Sequence, residues 1–214
     1  MRAFREQQGR YVAELDATER EVVASVLADV AELLGAGRLE DGPAEPDAGP
    51  DGPAGADAAL WTVRIAPVEP PTDPAVRRLL PDASRDDDEV AAEFRRLTED
   101  DLRARKIARL RALWTVVAHG EPGWPDDALV VDPARAGDVA ATLTDVRLVL
   151  ADRLGVRTDA DAQALHASDA ADGDDARAYL VALYDALSWL QESLVAVMLA
   201  APGPEHPGRG RSAG

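Results

Sequence analysis

The sequence predicts a mainly α fold: one bundle-like domain of four to five amphipathic helices, with at most a small strand pair. Three observations carry that expectation. Hydrophobic residues make up 46% of 214 residues while aromatics make up only 4%, so the core is aliphatic and rich in alanine, leucine and valine. Apolar residues recur at helical spacing in several long runs. Those runs are punctuated by Asp and Thr at their starts and Gly or Pro at their ends. A chain of this length fits one ordinary domain plus flexible segments.

Residues 4–15 alternate loosely around Gln8-Gly9, and Tyr11-Val12-Ala13-Glu14-Leu15 reads as a short strand. Asp16 is an N-cap whose capping box is completed by Glu19, three residues on. The helix that follows places Val22, Val23, Val26, Leu27, Val30, Leu33 and Leu34 at helical spacing and ends at Gly35 or Gly37. Residues 40–58 interleave four prolines with four glycines and carry only acidic charge, the composition of a disordered insertion. Trp61-Thr62-Val63-Arg64-Ile65 alternates as a short extended segment. Asp73-Pro74 starts one or two helical turns that Pro81 closes.

Asp86 to Asp88 open a helix through Leu97. Thr98 with Asp101 forms a second capping box, so the pattern is expected to break there and restart as a longer helix to Ala118, with Gly120 as the C-cap glycine. Pro122 to Pro125 is a turn, and Leu129-Val130-Val131 a short strand. Asp132-Pro133 then supplies N-cap and N1 of a helix ending at Gly155. Residues 158–175 read as an acidic, alanine-rich loop. The last helix runs from about Asp175 to Ala200, and residues 201–214 form a Pro/Gly-rich disordered tail after a single domain at 1–200. Leu15-Asp16 and Val131-Asp132, each followed by a helix, echo one another, with Leu27 matching Leu143 and Leu34 matching Leu150. If that echo is a repeat, the two strands can pair across a pseudo-twofold axis.

Composition also excludes chemistry. The chain has no cysteine, which removes disulfides, thiolate catalysis and cysteine-ligated metals. His119, His166 and His206 have no metal-ligand spacing, and there is no phosphate-cradling glycine loop, nucleophile elbow or zinc-protease motif. The Asp86-Asp87-Asp88 run is read as carboxylates favoured by a helix N-terminus rather than as a cation site. No cofactor, no metal and no catalytic residue is therefore expected. The net charge of −17 repels nucleic acid and anionic membrane. No apolar run is expected to reach the roughly 18 residues of a membrane span, and the expected location is the cytoplasm.

Lys106 is the only lysine, against 22 arginines. It falls on the stripe Leu102, Lys106, Leu110, Leu113, Val117. Three readings fit it: a snorkelling side chain, an ion pair across a helix interface, or an amine of depressed pKa. On the next long helix Val139, Leu143, Val146, Leu150 and Leu154 form the stripe. Arg147 sits at its edge, a candidate partner for Glu93, which flanks the Val90, Phe94 and Leu97 face. Asp145 is expected to point away from the stripe. The last helix is expected to bury Tyr179, Leu183, Leu187, Leu190, Leu194 and Val197, with Trp189 projecting opposite as a second contact surface.

Several blocks are shared with a known family: Asp73-Pro74, Arg78-Leu79-Leu80-Pro81-Asp82, Glu93-Phe94-Arg95-Arg96-Leu97-Thr98-Glu99 through Lys106, Thr144-Asp145-Val146-Arg147-Leu148, and Trp189-Leu190-Gln191-Glu192-Ser193-Leu194. Over about residues 4–200 the chain resembles an uncharacterised family of high-GC Gram-positive bacteria, catalogued as a domain of unknown function (number two-zero-one-seven). Glu93–Lys106 is the most specific block. The sequence departs from the family at Thr144, where asparagine is common, and at Ser84, near a usual tyrosine. The resemblance implies no established activity. Its gene neighbourhood implies a link to the adaptor of the Clp protease, and some members carry a transcriptional-regulator label.

The resulting expectation is a non-enzymatic, helical protein-interaction or regulatory module with an unidentified protein partner. Its candidate interaction or structural polar cluster is Glu93, Arg95, Arg96, Lys106, Asp145, Arg147, Trp189, Gln191 and Glu192. The alternatives are a regulator binding DNA through residues 98–118 and an enzyme using Lys106.

Overall fold

In the computed structural model, residues 1–42, 69–84, 86–158, 160–161, 165 and 175–201 are described. The expected disordered insertion, the extended segment at 61–65 and the C-terminal tail lie wholly or almost wholly outside them.

The chain opens with a hairpin, β1 (Arg2–Gln7) and β2 (Arg10–Glu14). Its two-residue turn, Gln8 and Gly9, holds φ of 53° and 72°, the positive values that a turn matching strand twist requires. A third strand, β3 (Ala128–Val131), pairs antiparallel with β2 in the register Tyr11↔Val131 and Ala13↔Leu129. The sheet order is β1-β2-β3. The expected strand pair therefore exists as β2 and β3, and β1 adds a strand that the loose alternation before Gln8 did not reveal. Alternation sorts the side chains. Tyr11, Ala13 and Leu15 join the main core, while Val12, Ala128 and Val130 form a second cluster covered by Trp124.

Five longer helices follow among the described residues: α1 (Ala17–Leu33), α2 (Pro74–Leu79), α3 (Asp88–His119), α4 (Ala136–Arg153) and α5 (Asp175–Ala200). The capping box at α1 is as expected. Asp16 accepts from the Glu19 backbone at 2.9 Å, and Glu19 accepts from the Asp16 backbone at 2.9 Å. Asp16→Ala removes one half of it and is expected to cost about 1 kcal/mol, read as a lower urea midpoint at unchanged slope; no shift would mean that α1 is nucleated elsewhere. Asp73 caps α2 and also accepts from Arg153 at 2.8 Å. That bond, with the Ala75 and Val76 amides, holds its carboxyl below the ordinary aspartate value.

Three expectations are corrected. The break at Thr98 is absent, and α3 runs unbroken for 32 residues. Thr98 Oγ1 donates back to the Phe94 carbonyl at 2.9 Å instead of capping a new helix. The loop expected from 158 begins with a capping box, since Thr158 and Asp161 exchange bonds of 2.8 and 3.2 Å, and Leu165 is helical and buried. Finally, α5 is long and apolar enough to cross a membrane by length and composition, contrary to the expectation that no run is. Here Val181, Leu183, Leu187, Leu190 and Leu194 face the protein interior. Tyr179, expected in that buried stripe, is 53% exposed.

The helix α1 packs along α3, and the two run antiparallel. Arg20 near the start of α1 donates to the Val116 carbonyl at 3.1 Å, while Arg103 donates to the Leu34 carbonyl at the end of α1 at 3.0 Å. The latter places a cation where a helix C-terminus favours one. Arg20 also bonds the Ala128 carbonyl at 3.1 Å, tying β3 to both helices, and burial lowers the pKa of its guanidinium.

Candidate functional site

The polar residues singled out in the sequence do not form one cluster. All but Trp189 and Glu192 fall into three groups, set apart by the helices that carry them.

The first group is buried between α3 and α4. Lys106 Nζ donates to Asp145 Oδ1 at 2.6 Å, and both residues are under 10% exposed. Arg109, one turn along α3, reaches Asp145 Oδ2 at 3.5 Å. Asp145 thus points into the interface, not away from it. The reason is the position of α4. It packs against α1, α2, α3 and α5, so it buries Thr142, Asp145 and Val149 as well as the Leu143, Val146, Leu150 stripe. A helix surrounded on several sides has no single inward face. Lys106 is therefore an interhelical ion pair, and its ammonium is committed to a carboxylate inside the fold.

The second group joins α4 to α5. Arg147 donates to Gln191 Oε1 at 2.6 Å and lies 5.3 Å above the centre of the Tyr184 ring. Gln191 Nε2 donates to Thr144 Oγ1 at 2.6 Å and to the Ala140 carbonyl at 3.0 Å. Thr144, where the resembled family commonly has asparagine, acts here as an acceptor for Gln191. The expected Arg147–Glu93 pair is not formed. Glu93 is exposed on its own helix and receives Arg96 at 2.5 Å. That bond holds the Glu93 carboxyl below its ordinary value and raises that of Arg96.

The third group is the beginning of α3, where Arg96 bonds Glu93 and Arg95 bonds Asp82. At ~1.5 Å per residue, α3 is about 48 Å long and α1 about 26 Å. Since Leu34 already lies beside Arg103, the part of α3 before about Glu99 extends beyond the end of α1. Within residues 88–98 only Ala91 is buried. Val90, Phe94 and Leu97 are 52%, 44% and 59% exposed, and their spacing aligns them along one side of the helix. The exposure of this face follows from the unbroken length of α3. Carboxylates bracket it: Asp87 and Asp88 before, Glu93 beside, and Asp101 after.

Trp189, 42% exposed, shares one side of α5 with Tyr179, Ala182 and Ala186. These residues form a shallow groove with Met1 and Val22, while the Met1 amino group pairs with Glu19. Glu192 is exposed beyond it and belongs to none of the three polar groups.

A family described as a domain of unknown function (DUF2017) matches residues 1–198. No curated protein and no solved structure matches the chain.

Proposed function

The chain belongs to the DUF2017 family, and from that premise we propose that it is a non-enzymatic cytoplasmic interaction module that docks a protein partner on the overhanging end of α3. The observation that carries this reading is the Val90, Phe94, Leu97 stripe. Three large apolar side chains stand exposed in one line on a helix whose other half is built into the core. Scattered exposed apolar residues need no explanation, whereas an aligned set marks a contact surface. Its acidic bracket selects the occupant: a helix with apolar anchors flanked by lysine or arginine, laid along α3. The gene neighbourhood implied by the resemblance makes the adaptor of the Clp protease the first partner to test.

The DNA-binding alternative is less well supported. Of the cations on residues 98–118, Arg103, Lys106 and Arg109 are bonded to groups within the chain. The Lys106 enzyme reading meets the same objection, since its amine is buried against Asp145.

Calorimetric titration of the purified adaptor is expected to give saturable binding that weakens with salt. The double variant Phe94→Asp/Leu97→Asp is expected to weaken it about tenfold or more. A photoreactive residue at position 94 is expected to trap the partner in cells, and one at exposed Ala104 is not. Equal adduct yields at the two positions would remove this surface from consideration.

A further inference from the structure

A cavity of about 440 Å³ lies between α3, β3 and the start of α4, remote from the overhang of α3. Its apolar walls are Leu113 and Val116 from α3, Val130 and Val131 from β3, and Val139 from α4, and charged side chains complete the lining. Arg109 stands among them, one helical turn before Leu113.

The bonding of Arg109 is incomplete. Lys106 takes Asp145 Oδ1 at 2.6 Å, leaving Arg109 only Oδ2 at 3.5 Å. Among the described residues that is its one hydrogen bond, and its Nε is buried with no partner. Two cations thus share one carboxylate, and Arg109, at the cavity wall, is the underbonded one. The neighbouring charges are matched: Arg10 with Asp132 at 2.8 Å, and Arg135 with Asp138 at 3.8 Å. Glu121 also lines the space; its charge offsets that of Arg109 over the site as a whole and disfavours an anion carrying more than one charge.

We propose that this cavity binds a small aliphatic monocarboxylate, its carboxylate on the Arg109 guanidinium and its branched body against the valine and leucine walls. A guanidinium pairs with a carboxylate through parallel, charge-assisted bonds. A cleft of a few hundred Å³ with apolar walls and a few placed polar groups is the usual form of a small-ligand site. One guanidinium beside the Glu121 carboxylate favours a monocarboxylate over a phosphate. Free branched-chain acids and the C-terminus of a peptide ending in leucine present the same chemistry.

The test is an NMR titration of the full chain with isovalerate, with isovaleramide, and with the peptide Ala-Ala-Leu bearing a free or an amidated C-terminus. Isovalerate is expected to shift the backbone amides of Val130, Val131 and Val139 saturably, and isovaleramide not to. Tighter binding of the free peptide identifies the source as a chain terminus, and binding of isovalerate alone identifies it as a metabolite. Arg109→Gln is expected to weaken binding about tenfold or more, the loss of a charge-assisted bond. Ala112→Phe, which fills the cavity while keeping Arg109, is expected to abolish it even if Arg109→Gln proves unstable. Equal shifts from acid and amide, undiminished binding in a folded Arg109→Gln variant, or no saturable shift by about 10 mM, well above a millimolar Kd, would each overturn the proposal.

Discussion

Asp145→Ala is expected to destabilise the fold by about 3–5 kcal/mol, because it leaves Lys106 buried without its carboxylate. The geometry makes the effect large. Lys106 and Asp145 are 9% and 5% exposed and 2.6 Å apart, so neither has water to replace the other. Arg109 adds to the cost, since its one hydrogen bond among the described residues also ends on Asp145. The double variant Lys106→Met/Asp145→Leu removes both charges of the close pair and is expected to recover most of the loss, less the part that Arg109 contributes. Urea unfolding checks both, as a shift of midpoint at constant slope. If Asp145→Ala alone costs less than about 1 kcal/mol, water reaches the pair and the interface is more open than described.

Leu187→Ala is expected to cost about 2–5 kcal/mol, by lost transfer energy and the cavity left behind. Leu187 is fully buried in the main core, between Leu183 and Leu190 along the inner side of α5. Trp189, two residues on, faces the groove and is 42% exposed, so Trp189→Ala is expected to stay within about 1 kcal/mol. The contrast checks the orientation of a helix whose composition alone leaves it undecided between core and membrane. A larger loss at Trp189 than at Leu187 would reverse the assignment of its faces.

The features legible in the sequence were those enforced by neighbours in the chain. Asp16 with Glu19, Asp73 with Pro74 and Gly120 after α3 are local hydrogen-bonding or φ requirements, and each appears where the residues place it. Thr98 with Asp101 shows the limit of that logic. The same motif can cap a helix or sit inside one, and an internal threonine satisfies its hydroxyl on the preceding turn. The stripe through Lys106, Leu110, Leu113 and Val117 was also legible, because one side of α3 is covered along that length.

Partner choice was not legible in the same way. Arg147 was matched to a carboxylate by charge, yet it meets Gln191 and Tyr184, the groups that α5 presents to that side of α4. Asp145 looked outward because one stripe was assigned to a helix packed on several sides. The exposure of Val90, Phe94 and Leu97 was not legible because periodicity reports amphipathicity and not whether a neighbour is long enough to cover it. Arg109 drew no notice as a site, since an arginine beside an apolar stripe is ordinary; only the prior claim of Lys106 on Asp145 leaves it underbonded.

The sequence by itself determined a mainly α chain with caps, helix limits and an aliphatic core, because these follow from interactions spanning a few residues. The tertiary structure alone decided which carboxylate Lys106 meets, where α3 outruns α1, and that a cavity opens beside Arg109. Those depend on distances between segments far apart in the chain, which spacing along the chain does not encode.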